Sequence, residues 1–397
     1  MPGFELFGDK ERAQVNEVLD STVLMRYGFD GMRNGHWKAV ELEKALTRRM
    51  QVYYAQLVSS GTAALTVALA VAGVGAGDEV IIPTFTFVAS FESILAIGAV
   101  PILVDVDDTL TLDPKAVESA ITERTRVVMP VHMCGSMADL AVLKSICKKH
   151  GLLLLEDACQ AIGGTFNEKP LGSFGDLGVF SFDYVKTITC GEGGAIITNN
   201  KKFHKNADHY SDHGHDHVGK DRGAETHPFL GYNYRISELH AAVGLAQLDR
   251  LDEFLSIQKR NYTILRGVLE KIPEVTFRRV PEGGVENYSF LSFFLPSRDL
   301  AEKVHAAMGS EGVDACFYWY HNNWHYYRKW EHLAERKSLG KLPQETLEGL
   351  QDLETFDFSK SDHWVSRNIS CLIKLGWSED EVRQRAEKIA QIIKSSS

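Results

Sequence analysis

Leu152-Leu153-Leu154-Leu155-Glu156-Asp157-Ala158, joined by Ser181-Phe182-Asp183-Tyr184-Val185-Lys186-Thr187-Ile188-Thr189-Cys190-Gly191-Glu192-Gly193-Gly194-Ala195, decides how this chain is read. The leucine run is short and apolar on both faces, which suits a strand of a parallel sheet covered by helices. Its end carries an acid, and the later stretch sets a lysine ahead of a Gly-rich turn. Similar runs lie on either side: Glu79–Pro83, Val100–Asp105, Thr125–Val131 and Gly194–Thr198. Ser60–Val74 and Leu140–His150 have apolar residues at three- and four-residue spacing and read as helices between them. Alternating strands and helices give an α/β class with a large, mostly parallel sheet.

Further along, Ser237 can cap a helix from Glu238 that continues past Arg260. The texture then changes. Val275–Arg279 and Tyr288–Leu295 read as antiparallel strands, and Leu300–Ser310 and Asp380–Lys394 as helices. A chain of 397 residues exceeds one ordinary core. We therefore expect a large α/β domain over 1–254 and a smaller α+β domain over 255–397, divided inside the long helix. No period of 20 to 50 residues is visible, which excludes a repeat architecture.

A net charge of −10 disfavours non-specific nucleic-acid or anionic-membrane binding. The amino terminus lacks the pattern of a signal peptide, and no apolar run reaches the roughly 20 residues that span a bilayer. The cytoplasm is the expected compartment. Six cysteines are scattered without a Cys-x-x-Cys pair, so reduced, mostly buried thiols are expected.

Asp157 and Lys186 together are what pyridoxal phosphate chemistry asks of a protein. The lysine forms a Schiff base with the cofactor aldehyde, and the acid keeps the pyridine nitrogen protonated, so that the ring acts as an electron sink. Taken singly, the lysine reads as a solvated loop residue and the acid as a helix cap. Ser60-Gly61-Thr62 opens a helix, where free N–H groups and the dipole suit a phosphate, or simply make a capped start. Ser181 could donate to the same phosphate. Phe87 could cover a flat ring or sit in the core. Asp105, Asp107 and Asp108 read as a solvated turn. His213, His215 and His217 alternate along a polar loop, without the spacing of a metal site. Arg222 beyond them could hold a carboxylate bidentately. Phe317–Tyr327 is dense in aromatics, a pattern of polyol pockets and of subunit or domain interfaces alike.

These segments carry a family likeness. Ser60–Leu65, Gly77–Pro83, Thr86–Ser90, Glu156–Ala161, Ser181–Lys186, Gly191–Gly194 and Gly231–Arg235 occur in the order and spacing of one group. Across nearly its whole length the chain resembles the DegT/DnrJ/StrS sugar aminotransferases, fold-type I pyridoxal phosphate enzymes. The resemblance implies that Lys186 is the Schiff-base lysine, Asp157 the partner of the pyridine nitrogen and Phe87 the stacking ring. It implies that Gln160 lies near the ring hydroxyl and that Ser60, Gly61, Thr62 and Ser181 cradle the phosphate. Asn233 would reach the phosphate of a neighbouring subunit, so a homodimer with shared sites is implied. Relatives that replace the lysine by histidine are dehydratases, whereas this chain keeps lysine. Relatives that have lost turnover and act as regulators add a DNA-binding module, for which this chain has neither a basic extension nor spare length.

Within the family, Arg26-Tyr27, Met32-Arg33-Asn34, Val131–Met137, Ser211–Gly219 and Tyr318–Tyr327 are similar to a branch acting on a free sugar acid. That branch moves the amino group of glutamate to a terminal C8 aldehyde. Most other relatives act on nucleotide-linked keto sugars, the alternative reading here. The aromatic segment and Ser370–Lys374 depart from the common pattern, in which many relatives have a Leu-Pro turn at the latter. Arg26, Arg33, His213, Arg222, Trp319 and Tyr320 are the expected substrate contacts.

Overall fold

The computed structural model describes residues 2–219 and 223–397. Helices α1 (Asp9–Ser21) and α2 (Lys38–Met50) precede a seven-stranded sheet. Its strands are β1 (Tyr54–Val58), β2 (Glu79–Pro83), β3 (Val100–Val104), β4 (Thr125–Val128), β5 (Leu153–Asp157), β6 (Leu177–Ser181) and β7 (Gly194–Thr198). They are ordered β1-β7-β6-β5-β4-β2-β3. Among the described strands of this sheet only β7 runs against the rest, pairing antiparallel with β1 and β6. Between strands lie α3 (Gly61–Val71), α4 (Ala89–Ala96), α5 (Pro114–Ala120) and α6 (Leu140–His150), and α7 (Lys201–Tyr210) follows the last strand. All five residues of β2 and of β3 are buried, as a strand covered on both faces requires.

Local chemistry explains the boundaries. The Ser60 hydroxyl accepts from the Ala63 N–H at 3.0 Å and starts α3. Asp139 caps α6 in the same way, and Gly151, with φ +69°, ends it in the left-handed region. Two strands have breaks in their apolar runs. In β1 the apolar run is interrupted by Gln56, which is buried with its amide donating to the Ser211 hydroxyl at 3.3 Å. In β6 it is interrupted by Gly178, where a Cβ would lie 2.0 Å from the Gly172 carbonyl oxygen, so no larger residue fits.

The expected single long helix is two: α8 (Glu238–Asp249), capped by Ser237, and α9 (Leu251–Leu269). The guanidinium of Arg250, at the break, is drawn to the Leu6 carbonyl and to Glu11. Leu251 and Phe254 pack with α2 and α8, whereas Tyr262, Leu265 and Leu269 face a second sheet. That sheet holds β8 (Thr276–Phe277), β9 (Phe290–Phe294), β10 (Cys316–Phe317) and β11 (Asn368–Leu372), ordered β8-β9-β11-β10 and antiparallel throughout. Helices α10 (Arg298–Ser310) and α14 (Glu379–Ser396) cover it, with the short α11 (Glu331–Ala334), α12 (Gln344–Gly349) and α13 (Ser359–Val365) intervening.

Residues 319–365 leave this second region and return to the first. Trp319, Tyr326, Trp330, Leu350 and Phe358 share one core with Leu65, Phe85, Phe91 and Leu103. Backbone bonds fasten the return: Thr86 N–H to the His325 carbonyl (2.9 Å), Val88 N–H to that of Trp324 (2.8 Å), and Tyr327 N–H to that of Thr84 (3.1 Å). The aromatic segment thus becomes a lid sewn onto the end of β2.

Candidate active site

Strand alternation sends the two acids ending β5 to opposite faces. Glu156 is fully buried and accepts from the N–H groups of Gly172, Phe174 and Gly175 at 2.8, 2.6 and 2.7 Å, with His132 Nε2 at 3.0 Å. It holds a turn in place. Asp157 faces a cavity of about 240 Å³ at the carboxyl ends of the strands, where ligands bind in open α/β sheets. Two donors fix its carboxylate: the Ser90 hydroxyl at 3.0 Å and the Cys159 N–H at 3.1 Å. Ser90 is in turn 2.7 Å from the Thr86 hydroxyl.

The cavity brings together Ser60, Gly61, Thr62, Phe87, Asp157, Gln160, Ser181 and Lys186, eight of the residues singled out in the sequence. At one end the N–H groups of Gly61 and Thr62, in the first turn of α3, have no intrahelical acceptor. Gly61 is in contact with Ser181: a Cβ at Gly61 would meet the Ser181 Cβ at 2.7 Å. In the middle, Gln160 Oε1 accepts from the Cys134 N–H at 2.9 Å. Lys186 rides a loop tied at its base by a bridge between Asp183 and Gly191. Its own N–H donates to the Asp183 carbonyl at 3.0 Å. Its carbonyl accepts from the Gly3 N–H at 3.0 Å, and Phe4 stacks on Tyr184 with ring centroids 4.2 Å apart. The first residues of the chain therefore moor the lysine loop.

The lid forms the remaining wall. Phe87 is covered by the Trp324 ring, nearly parallel at 5.5 Å, and His325 lies 5.3 Å from it. Asn322 Oδ1 accepts from the Trp324 N–H at 3.0 Å and lies 2.8 Å from His325 Nδ1. Burial, with the nearby Lys186 charge, pushes the His325 imidazolium pKa down to about 3. Thr86, Ser90 and His325 were missed in the sequence. The Thr86 and Ser90 hydroxyls, four positions apart at the start of α4, were a signal that could have found those two. Nothing local marks His325.

The cavity fits pyridoxal phosphate. It offers free N–H groups beside a serine, where a tight glycine lets an anion approach, together with an aromatic ring, an acid and a lysine. The clefts beside Val268 and Lys394, beside Phe91 and His332, beside Tyr327 and Trp330, and beside Ile121 and His150 do not combine these groups.

The remaining sequence candidates lie elsewhere. Arg26 and Arg33 are corrected from substrate contacts to internal struts. Arg26 is buried and donates to the Leu57 carbonyl (3.0 Å) and Glu43 (2.8 Å). Arg33 is buried, donates to the Gly28 carbonyl (2.6 Å) and that of Met25, and stacks on Trp37. Trp319 is buried within the lid, parallel to Phe317 at 4.8 Å and 4.6 Å from His325. Tyr320 packs under Arg298. Neither Trp319 nor Tyr320 lines the cavity. His213 is exposed, and its carbonyl accepts from His227 Nδ1 at 2.9 Å. His215 pairs with Glu225 at 2.8 Å, and His217 stacks on Tyr27. Asn233 is exposed and does not line its own protomer's cavity. Arg222 lies outside the described residues.

The DegT/DnrJ/EryC1/StrS aminotransferase family model matches residues 7–345. The GDP-perosamine synthase of Caulobacter vibrioides is 39% identical over 251 residues, 63% of this chain and 64% of that enzyme. The L-glutamine:scyllo-inosose aminotransferase of Streptomyces griseus is 47% identical over 202 residues, 49% of this chain and 48% of that one. The chain thus spans just under two thirds of the first enzyme and about half of the second. The crystal structure of 3-amino-5-hydroxybenzoic acid synthase superposes with a TM-score of 0.82 at 29% identity, over 98% of this chain and 97% of that one. The chain belongs to the DegT/DnrJ/EryC1/StrS aminotransferase family, whose aminotransferases depend on pyridoxal phosphate.

Proposed function

We propose that the protein transfers the amino group of L-glutamate to the C8 aldehyde of 8-oxo-3-deoxy-manno-octulosonate. The products are 8-amino-3,8-dideoxy-manno-octulosonate and 2-oxoglutarate, and the setting is cytoplasmic synthesis of a lipopolysaccharide sugar. The observation that carries the transaminase reading is the convergence of Lys186, Asp157, Phe87, Ser181 and the amino end of α3 on one cavity. When bound, pyridoxal phosphate supplies a conjugated ring that takes up the electron pair released as the donor's Cα–H bond breaks. Asp157, fixed by Ser90 and the Cys159 N–H, would hold the proton on the pyridine nitrogen. Gly61, Thr62 and Ser181 would hold the phosphate. Lys186 would anchor the cofactor and, once freed, its Nζ would carry the proton taken from the donor's α-carbon.

The acceptor rests on the family branch resembled by 131–137, 211–219 and 318–327. Of the three arginines considered for the sugar carboxylate, Arg222 is the one left to that task. The alternative acceptor is a nucleotide-linked keto sugar, supported by the GDP-perosamine synthase likeness. The inosose enzyme's name adds glutamine as a rival donor. Offering the octulosonate aldehyde and a panel of nucleotide-linked keto sugars, with glutamate or glutamine, and reading products by mass spectrometry tests all three. Faster amination of a nucleotide sugar would overturn the acceptor and leave the chemistry standing.

A homodimer with shared sites is part of this reading. The exposed apolar side chains Phe29, Met32, Tyr184, Leu230 and Tyr232 support it, Leu230 being 89% exposed in the single protomer. Asn233 follows Tyr232 directly and would complete the partner's phosphate site. Mixing inactive Lys186→Ala and Asn233→Asp chains should restore some activity. Mixed dimers without rescue would put both residues in one chain's site.

A further inference from the structure

We propose that His325 is a specificity-determining residue: a neutral imidazole whose Nε2 accepts a hydrogen bond from a hydroxyl on the carbon beside the acceptor's reacting carbonyl. The argument starts at Asn322. Its Oδ1 accepts from the Trp324 backbone N–H, which can only donate, so that atom is oxygen and not the amide nitrogen. The same oxygen lies 2.8 Å from His325 Nδ1, so Nδ1 carries the proton. Nε2 then bears a lone pair, and no protein group among the described residues bonds it. His325 lines the cavity next to Phe87 and Lys186.

The ring cannot turn to offer an N–H instead. A turn would break the 2.8 Å bond from Nδ1 to Asn322 Oδ1, and the ring is flanked by the tilted rings of Phe87 at 5.3 Å and Trp319 at 4.6 Å. Nor does it become a cation, because burial and the Lys186 charge oppose protonation. The cavity wall therefore presents a fixed acceptor with no donor capacity.

That chemistry separates the two half-reactions. A sugar acceptor brings hydroxyl donors beside its carbonyl. Glutamate's carboxylates offer only lone pairs and gain nothing from Nε2, and its one donor, the amino group, is the group that is transferred. His325 thus favours polyol acceptors over amino and keto acids. This inference rests on the sugar-aminotransferase reading but not on which sugar is used.

The test uses the holoenzyme with whichever acceptor it aminates, the octulosonate aldehyde first, and that acceptor's analogue lacking the neighbouring hydroxyl. Losing one neutral hydrogen bond to the substrate should cost about tenfold. Wild type should lose about tenfold in kcat/KM on the deoxy analogue. His325→Phe, which keeps a ring against Phe87, should lose the same factor on the full acceptor and nothing further on the analogue, with a clearly smaller loss in the glutamate half-reaction. A binding readout accompanies it. By calorimetry the unreactive sugar alcohol should bind His325→Phe about tenfold more weakly, while glutarate should bind both proteins alike. Should His325→Phe misfold, the wild-type comparison and the imidazole nitrogen resonances decide. Those resonances should report a Nδ1–H tautomer whose Nε2 signal moves with the sugar alcohol and not with glutarate. Equal losses in both half-reactions, no penalty for the deoxy analogue in wild type, or a Nε2–H tautomer would each overturn the proposal. Failure of every sugar acceptor with wild type would instead overturn the functional reading itself.

Discussion

The cavity has a floor and a lid, and they are built differently. The floor is made of strand ends, a helix start and backbone groups: Asp157 at the end of β5, Ser181 at the end of β6, and the open N–H groups of Gly61 and Thr62. Its neighbours leave no room for change, as the contact of Gly61 with Ser181 and the 2.0 Å approach at Gly178 illustrate. The lid, residues 317–330, is made of side chains on a segment attached by three backbone bonds. A floor set by backbone geometry serves the chemistry common to every substrate, whereas a lid of exchangeable rings can be altered to choose among them. Floor substitutions should therefore damage both half-reactions, and lid substitutions only the one that uses the sugar.

The largest effect is expected at Lys186. Lys186→Ala removes the anchor and the proton carrier together and should lower turnover by about 10⁴-fold or more in both half-reactions. Phosphate and Asp157 contacts would still retain the cofactor. Borohydride reduction of the wild type followed by peptide mapping should find the cofactor on Lys186, and label on another lysine would refute the assignment. Asp157→Asn should follow, at about 10²-fold or more, because an amide cannot hold the pyridinium proton. Near wild-type turnover would leave Asp157 a structural cap.

Gly61→Ala tests the cradle. The added Cβ has to displace Ser181, so cofactor affinity should fall by about tenfold, read by equilibrium dialysis, with kcat at saturating cofactor little changed. Unaltered affinity would show that the phosphate sits elsewhere. The smallest effect belongs to the lid. Trp324→Ala removes a ring stacked on Phe87, an arrangement worth about 0.5–1.5 kcal/mol. It should slow the sugar half-reaction by up to about tenfold and leave the glutamate half unchanged in single-turnover measurements. Equal slowing of both halves would break the distinction between floor and lid.

That distinction also explains what could be read in the sequence. Asp157 and Lys186 were visible because each is fixed by its neighbours in sequence, a leucine run before one and a glycine turn after the other. The same holds for Ser60, Gly61 and Thr62 at a helix start. Ser90 acts on Asp157 across 67 positions, and the lid meets Thr86 only after the chain has laid down three strands of a second sheet and returned. Such pairings leave no local period or composition to detect. Arg26 and Arg33 misled for a related reason. An arginine's charge is visible in a sequence, but the buried carbonyls and Glu43 that engage it are not. Arg250, where one expected helix became two, turns the chain through contacts with Leu6 and Glu11 that are equally remote.

The mooring of Lys186 by Gly3 has a consequence for the order of events as the chain matures. Contacts between positions so far apart close late, because the loop they span must first lose its freedom. Gly3 lies where a Cβ would be 2.1 Å from Gln247 Oε1 and 2.7 Å from the Thr187 carbonyl, so the anchorage also waits for α8. The lysine loop should accordingly gain protection from amide exchange only after the sheet beneath it has done so.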